Sequence, residues 1–297
     1  MSIVDFFKKH PDDDVTTTPD PIKCDISYLK KNSIVMEVDD GVEDILPHAS
    51  KIGGKPLLPA NFEWPVFTNK EDGMTRPLSF LCQINLADVK PYDTENLLPD
   101  TGVLSFFYEC VSFRWGFDPA DAGGARVFYF ADTTDFVPTE CPSDLEEDYR
   151  VPEMAVRFTA RSSYPRYEEL EMHTSDDWDW DEYDEALEEM GVDLEAEEHQ
   201  LLGYAHVIQN EMLSECERTR RGLYCGDAQS YQNTPDEVKA EVKACATDWT
   251  LLLQLTTLQK DDWEWMWGDC GMLYFYIRKQ DLAAKNFDQT WFVLQCS

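Results

Sequence analysis

Apolar residues in this chain fall mostly into short runs rich in β-branched and aromatic side chains, the composition of strands. Residues 34–38 predict one strand, ended by Asp39-Asp40-Gly41. Two longer stretches then follow one plan. P-L-S-F-L-C-Q-I (77–84) precedes T-G-V-L-S-F-F-Y (101–108), and W-T-L-L-L-Q-L (249–255) precedes C-G-M-L-Y-F-Y-I (270–277). Each time an apolar run reaches a Gln (Gln83, Gln254) before a Gly (Gly102, Gly271) opens the next strand, and the two Gln-to-Gly spacings differ by two residues. R-V-F-Y-F (126–130) and W-F-V-L-Q-C (291–296) add a third strand to each, and residues 154–159 predict another. The D-P, G-G and P-D breakers between runs indicate antiparallel pairing rather than βαβ crossovers.

Other segments read differently. K-I-G-G-K-P-L-L-P (51–59) and N-F-E-W-P (61–65) carry too much Gly and Pro for regular structure, so they predict a shaped loop packed by Phe62 and Trp64. H-Q-L-L-G-Y-A-H-V-I-Q (199–209) loosely echoes that loop. Residues 2–10 predict an amphipathic helix stopped by Pro11, with a loop over 12–21. Between Asp176 and Glu198 lie thirteen acidic residues and no Lys or Arg, with Leu187, Met190 and Leu194 at helical spacing. Thr234-Pro235-Asp236-Glu237 predicts a helix start with Thr234 as cap and Val238, Val242 and Cys245 as its buried stripe.

The expected fold is therefore α+β and strand-dominated: an antiparallel sheet built from two pseudo-repeated halves, with peripheral helices. An N-terminal helix and arm would occupy residues 1–49 and one domain 50–297, its halves near 50–141 and 199–297, with 176–198 as an acidic helical insertion.

Charge changes the functional picture. A formal net charge of −34 opposes phosphate backbones and anionic membranes, so neither nucleic acid nor membrane is an expected partner. The charge reads either as solubility or as an acidic face that meets a basic partner. Nine cysteines, none spaced C-x-x-C, argue against a disulfide framework and a structural zinc. With a short, soon acidic apolar start and no run long enough to span a bilayer, the expected location is the cytoplasm.

K-I-G-G-K-P-L-L-P, F-E-W-P, P-L-S-F-L-C-Q-I-N-L, L-P-D-T-G-V-L-S-F-F-Y and L-L-G-Y-A-H-V-I-Q resemble the YwqG-like family of uncharacterised, mostly bacterial proteins, a domain-of-unknown-function family. The most distinctive string is M-W-G-D-C-G-M-L-Y-F-Y-I-R-K-Q-D-L (266–282), and the resemblance covers roughly residues 50–297. It implies one compact, sheet-rich domain and carries no activity or catalytic residue. A proline expected soon after the Leu-Gly-Tyr loop is replaced, leaving Tyr204-Ala205-His206.

Candidate chemistry is sparse. Trp267-Gly268-Asp269 and Trp115-Gly116-Phe117-Asp118 could hold a cationic or peptide ligand, or could fill core space and cap turns. Gln83 and Gln254, at strand ends, read as structural amide bridges. Asp177, Asp179, Asp181 and Glu188 fit a calcium-loop spacing, but Glu182 stands where Gly is needed. His199, His206 and Cys225 have no partner signature, and no hydrolase, zincin or P-loop motif appears, so neither cofactor nor metal is expected. Two functions remain open. One is a soluble acidic binding protein that engages a basic protein partner, as an inhibitor or immunity-type protein would. The other is an enzyme or small-molecule binder whose cleft between the halves is lined by Trp64, Tyr204, Gln209, Trp267, Asp269 and Arg278.

Overall fold

The structure is a computed structural model that describes residues 25–297 apart from Asp40 and Glu43. The expected helix at 2–10 and loop at 12–21 lie outside the described residues. Ten strands form one antiparallel sheet: β1 (Lys31–Asp39), β2 (Lys51–Ile52), β3 (Ser79–Asn85), β4 (Val103–Tyr108), β5 (Ala125–Phe130), β6 (Met154–Ser163), β7 (Gln200–Leu202), β8 (Trp249–Leu255), β9 (Met272–Arg278) and β10 (Trp291–Gln295). Their spatial order is β10-β9-β8-β7-β1-β6-β2-β3-β4-β5. Counted inward, one edge reads β10, β9, β8, β7, β1 and the other β5, β4, β3, β2, β6. β1, from the segment expected to form an arm, lies at the centre and pairs with β6 from Lys31↔Ser163 to Asp39↔Ala155. Its side chains are buried continuously from Asn32 to Met36, as a strand covered on both faces requires.

Helices sit at the periphery: α1 (Leu86–Val89), α2 (Tyr167–Leu170), α3 (Trp180–Glu189), α4 (Leu213–Arg220), α5 (Ala228–Asn233), α6 (Asp236–Ala246) and α7 (Lys279–Ala283). The sheet curls until its two ends share one core. Phe106 of β4 meets Phe275 of β9 edge to face at 5.2 Å, and Tyr108 meets Trp267 and Phe292 at 5.7 and 5.5 Å. Period-two alternation separates the faces: Leu273, Phe275 and Ile277 join this inner core, while Tyr274 and Tyr276 face outward beneath α4 and α6. The outer face of β3–β5 is instead covered by loops and a small hairpin that pairs Val66–Thr68 with Thr75–Pro77, through Phe62, Trp64, Phe67 and Leu78. Edge strand β10 is met by the Trp115-Gly116 turn, where Leu294 N–H donates to Trp115 O at 3.0 Å. A Cβ on Gly116 would come 2.1 Å from Phe292 O, so only glycine fits this approach.

Buried amides fix the loops that leave the sheet. Gln83 accepts from Leu57 N at 2.9 Å and donates to the carbonyls of Pro47 and Ala49 at 2.8 Å each. Gln254 accepts from His206 N at 2.8 Å and donates to Glu198 O at 2.9 Å. Gln83 pairs in register with Lys51 and Gln254 with Gln200, so each clamps the residue six beyond its partner and the carbonyl two before it. Each also follows an irregularity in its strand, at Phe80/Cys82 and Leu251/Leu253. The clamped loops share an uncommon backbone, with φ of 60° and 70° at Gly53 and Gly54 and of 60° and 72° at Leu202 and Gly203. Leu202 carries a side chain where its counterpart is glycine, which costs about 1 kcal/mol.

Two helix expectations shift. α3 buries Tyr183, Ala186 and Leu187, while Met190 is exposed and Leu194 lies beyond the helix end. α6 starts at Asp236, and Thr234 closes α5 instead, its hydroxyl donating to Ser230 O at 2.7 Å. Thr234 Oγ1 is also engaged by the buried Arg218, a long-range contact that local pattern does not reveal.

Gln254→Leu would leave the His206 N–H and Glu198 C=O unpaired. We expect it to lower the urea unfolding free energy by roughly 2–3 kcal/mol, whereas Gln209→Leu, at an exposed position, should change it by less than about 0.5 kcal/mol.

Candidate functional site

A cleft of about 1150 Å³ opens where α2 and the acidic segment face the start of α4 and α5. Its lining includes seven carboxylates, four aromatic side chains and no Lys, Arg or His. Local sequence explains the walls. Pro165 ends β6's extension, and Asp179 caps α3 by accepting from Asp181 N at 3.0 Å, which sets Trp178 and Trp180 on the rim. Trp180 packs on Tyr167 at 4.7 Å between ring centres and keeps nearly half its surface exposed. Tyr167 Oη donates to Trp178 O at 3.1 Å. Behind the opposite wall Gln295 of β10, fully buried, accepts from Ile208 N and Gln209 N at 3.1 Å and donates to Asn210 O at 2.8 Å. The strand thereby positions the stretch that leads to Glu211 and α4.

Glu215 is the floor's distinctive group. It is 6 % exposed, and its Oε2 has no hydrogen-bond partner. Burial, reinforced by the nearby Glu211 carboxylate, pushes its pKa up to about 8; Arg218 opposes the shift. Arg218 is itself committed elsewhere. Its guanidinium lies 3.9 Å over the Tyr231 ring and donates to Tyr224 O and Thr234 Oγ1, and no ion pair joins it to Glu215 among the described residues. Glu211 is also raised by burial, although Ser214 N donates to it at 2.9 Å. Trp178 Nε1 is a second buried polar atom without a partner on the cleft wall. Cys225 lines the cleft too, but burial pushes its thiol up to about 12 and its Sγ donates to Phe117 O, which disfavours the nucleophilic thiolate form.

The six residues expected to line a cleft between the halves do not share one cavity. Trp64 sits in the outer cluster of β3–β5, its Nε1 donating to Leu78 O. Trp267 is fully buried in the inner core with Nε1 donating to Thr256 O, and Asp269 is exposed on the adjacent turn. Arg278 pairs locally with Asp281 at 2.6 Å. Tyr204 is buried beneath Lys31, whose Nζ lies 3.8 Å from its ring centre. Gln209 alone reaches the acidic cleft, with Nε2 donating to Cys296 O.

Other sequence candidates resolve into structure. Asp181 and Glu188 lie within α3, so the stretch with calcium-loop spacing is not a loop, and among the described residues no group of three or more His, Cys, Asp or Glu is placed to hold a metal. His199 is buried, its Nδ1 accepts from Thr256 N, and burial lowers its pKa to about 4. His206 Nδ1 lies 2.9 Å from Arg166 rather than from any hydroxyl or thiol. No helix of the described residues is long and apolar enough to cross a membrane.

A family model described as Domain of unknown function (DUF1963) matches residues 50–296, and the chain belongs to that family. No curated protein matches the chain.

Because the folded Glu215 holds its proton up to about pH 8 and an unfolded glutamate releases it near 4.5, the folded state binds more protons between these values. Stability is present below the lower value and is lost as pH rises, at up to about 1.4 kcal/mol per pH unit. Denaturation curves at pH 5 to 8 should show Glu215→Gln losing less stability with rising pH than the parent, by this slope. Equal slopes would show that Glu215 ionises freely in the folded protein.

Proposed function

We propose that this member of the DUF1963 family is a non-catalytic binding protein whose acidic, aromatic-walled cleft takes a cationic group from a basic protein partner. The observation that carries this reading is the buried, unpartnered Glu215 oxygen on the floor of a cleft with no basic residue in its lining. A buried carboxyl with an open acceptor site is costly to keep unless something completes it. A lysine ammonium or arginine guanidinium would do so. Its aliphatic stem would run between Trp178, Trp180 and Tyr167, whose ring faces favour cations. The outer carboxylates and the net charge of −34 would steer a basic surface toward the cleft. Engagement of this kind suits an inhibitor or immunity-type protein, and on this reading the YwqG-like family that the sequence resembles and the DUF1963 family are one.

The test is a titration with a five-lysine peptide, followed by the fluorescence of the cleft tryptophans at low and physiological salt, with a five-glutamate peptide as control. We expect saturable one-to-one binding that weakens as salt rises and falls at least tenfold in Glu215→Gln and in Trp180→Ala. A peptide that binds the parent and Glu215→Gln equally is held by general surface charge, and the assignment of the cleft fails.

A further inference from the structure

Basic residues are scarce in this chain, 25 Lys and Arg against 59 Asp and Glu, yet four lysines line one separate cavity of about 700 Å³. It lies between the segment after α1 and helix α7, over the Gly203 turn and the end of β1, so both ends of the sheet contribute to it. Its only acidic lining residues are Glu95 and Asp100. Both are engaged: Glu95 Oε1 accepts from Asn32 N at 2.6 Å, and Asp100 pairs with Lys90 at 2.5 Å. Lys279 Nζ donates once, to Thr247 O at 2.8 Å, and Lys285 lies 6.0 Å from the Tyr129 ring centre. Lys31 is the innermost. Its ammonium rests on the Tyr204 ring and forms no ion pair among the described residues. An ammonium has three donors, and an aromatic face replaces none of their oxygen acceptors. The floor is apolar, built from the buried Leu98, Pro99 and Leu282 with the Thr250 side chain beside them.

We propose that this cavity binds a small organic anion, a carboxylate or phosphate monoester on an apolar body, with Lys31 as its inner counter-charge and Lys279 and Lys285 at the mouth. The excess of lysines supplies the attraction, and the apolar floor requires that the ligand be more than a bare ion. The Gly203 turn beneath the cavity needs glycine, at φ 72° and with a would-be Cβ 2.6 Å from Ser33 Cβ. Burial lowers the Lys31 pKa to about 8; the Glu169 and Glu95 carboxylates oppose this and Lys279 adds to it. A bound anion favours the charged ammonium, so affinity falls as pH rises through that value. The site is independent of the acidic cleft, since the two share no lining residue.

Calorimetric titration of the full chain with phenyl phosphate and with benzoate, beside phenol and inorganic phosphate, tests the proposal. We expect one saturable site for at least one of the two organic anions, at least tenfold stronger than for phenol or inorganic phosphate. Binding should weaken at least tenfold in Lys31→Met, return in Lys31→Arg, and stay unchanged in Glu215→Gln. For the parent it should also weaken between pH 7 and 9. If Lys31→Met is misfolded by circular dichroism, Lys279→Met at the exposed mouth reads the same loss. No saturation by either organic anion, or equal binding by the parent and a folded Lys31→Met or Lys279→Met variant, would overturn it.

Discussion

The structure depends on holding irregular loops against a sheet whose main strands are buried on both faces. Strands β3, β4, β8 and β9 are buried on both faces along nearly their whole length, so connections leaving them run past apolar side chains, with little water to satisfy their backbone groups. Three buried glutamines, Gln83, Gln254 and Gln295, meet that requirement from within strands. An amide suits the task because it donates and accepts at once. Each takes one or two loop N–H groups and gives to one or more loop carbonyls, which fixes a chain path that propensity would leave open. Gln295 links this scaffold to function, because the stretch it holds leads directly into the wall of the acidic cleft.

On the proposed reading, stability and binding pull against each other at that wall. Glu217, two residues beyond Glu215, is also buried, but Arg220, Arg221 and Trp249 Nε1 all donate to it and hold its pKa down at about 2 although burial opposes this. Glu215 has no such retinue. Two glutamates on one short helix thus sit at opposite extremes, one completed by its own chain and one with a carboxyl oxygen left unpartnered. That contrast favours a site over a packing accident, since the same helix demonstrates how a buried carboxylate is satisfied internally. The scarcity of positive charge elsewhere also gives the lysine-lined cavity its meaning, as a local reversal in an acidic molecule.

Much of the sheet was legible. Strands such as residues 249–255 and 126–130 were plain because β-branched and aromatic runs bounded by turns have few other outcomes. The bridging role of Gln83 and Gln254 could be read from a buried amide's need for partners. The central position of β1 was not legible, since its neighbours β6 and β7 lie far along the chain. Nor was the cleft. Glu215 stands in L-S-E-C-E-R-T-R-R, whose charges read as solvated, and its burial near Glu211 and Arg218 is set by the tertiary packing of α4. Trp267 and Asp269 illustrate the opposite error: two residues apart in sequence, one is core and the other surface. The acidic run was visible as charge, but its aromatic residues acquire a role only where α2 and α4 meet them.

The most direct measurement is the number of protons exchanged when a five-lysine peptide binds at pH 7, obtained from calorimetry in two buffers of different ionisation enthalpy. A cation drawn to the cleft floor must ionise a Glu215 that is mostly protonated at this pH, so close to one proton should be released by the parent and none by Glu215→Gln. Identical binding heats in both buffers for the parent would mean that the ligand never meets that carboxyl, and would contradict the account.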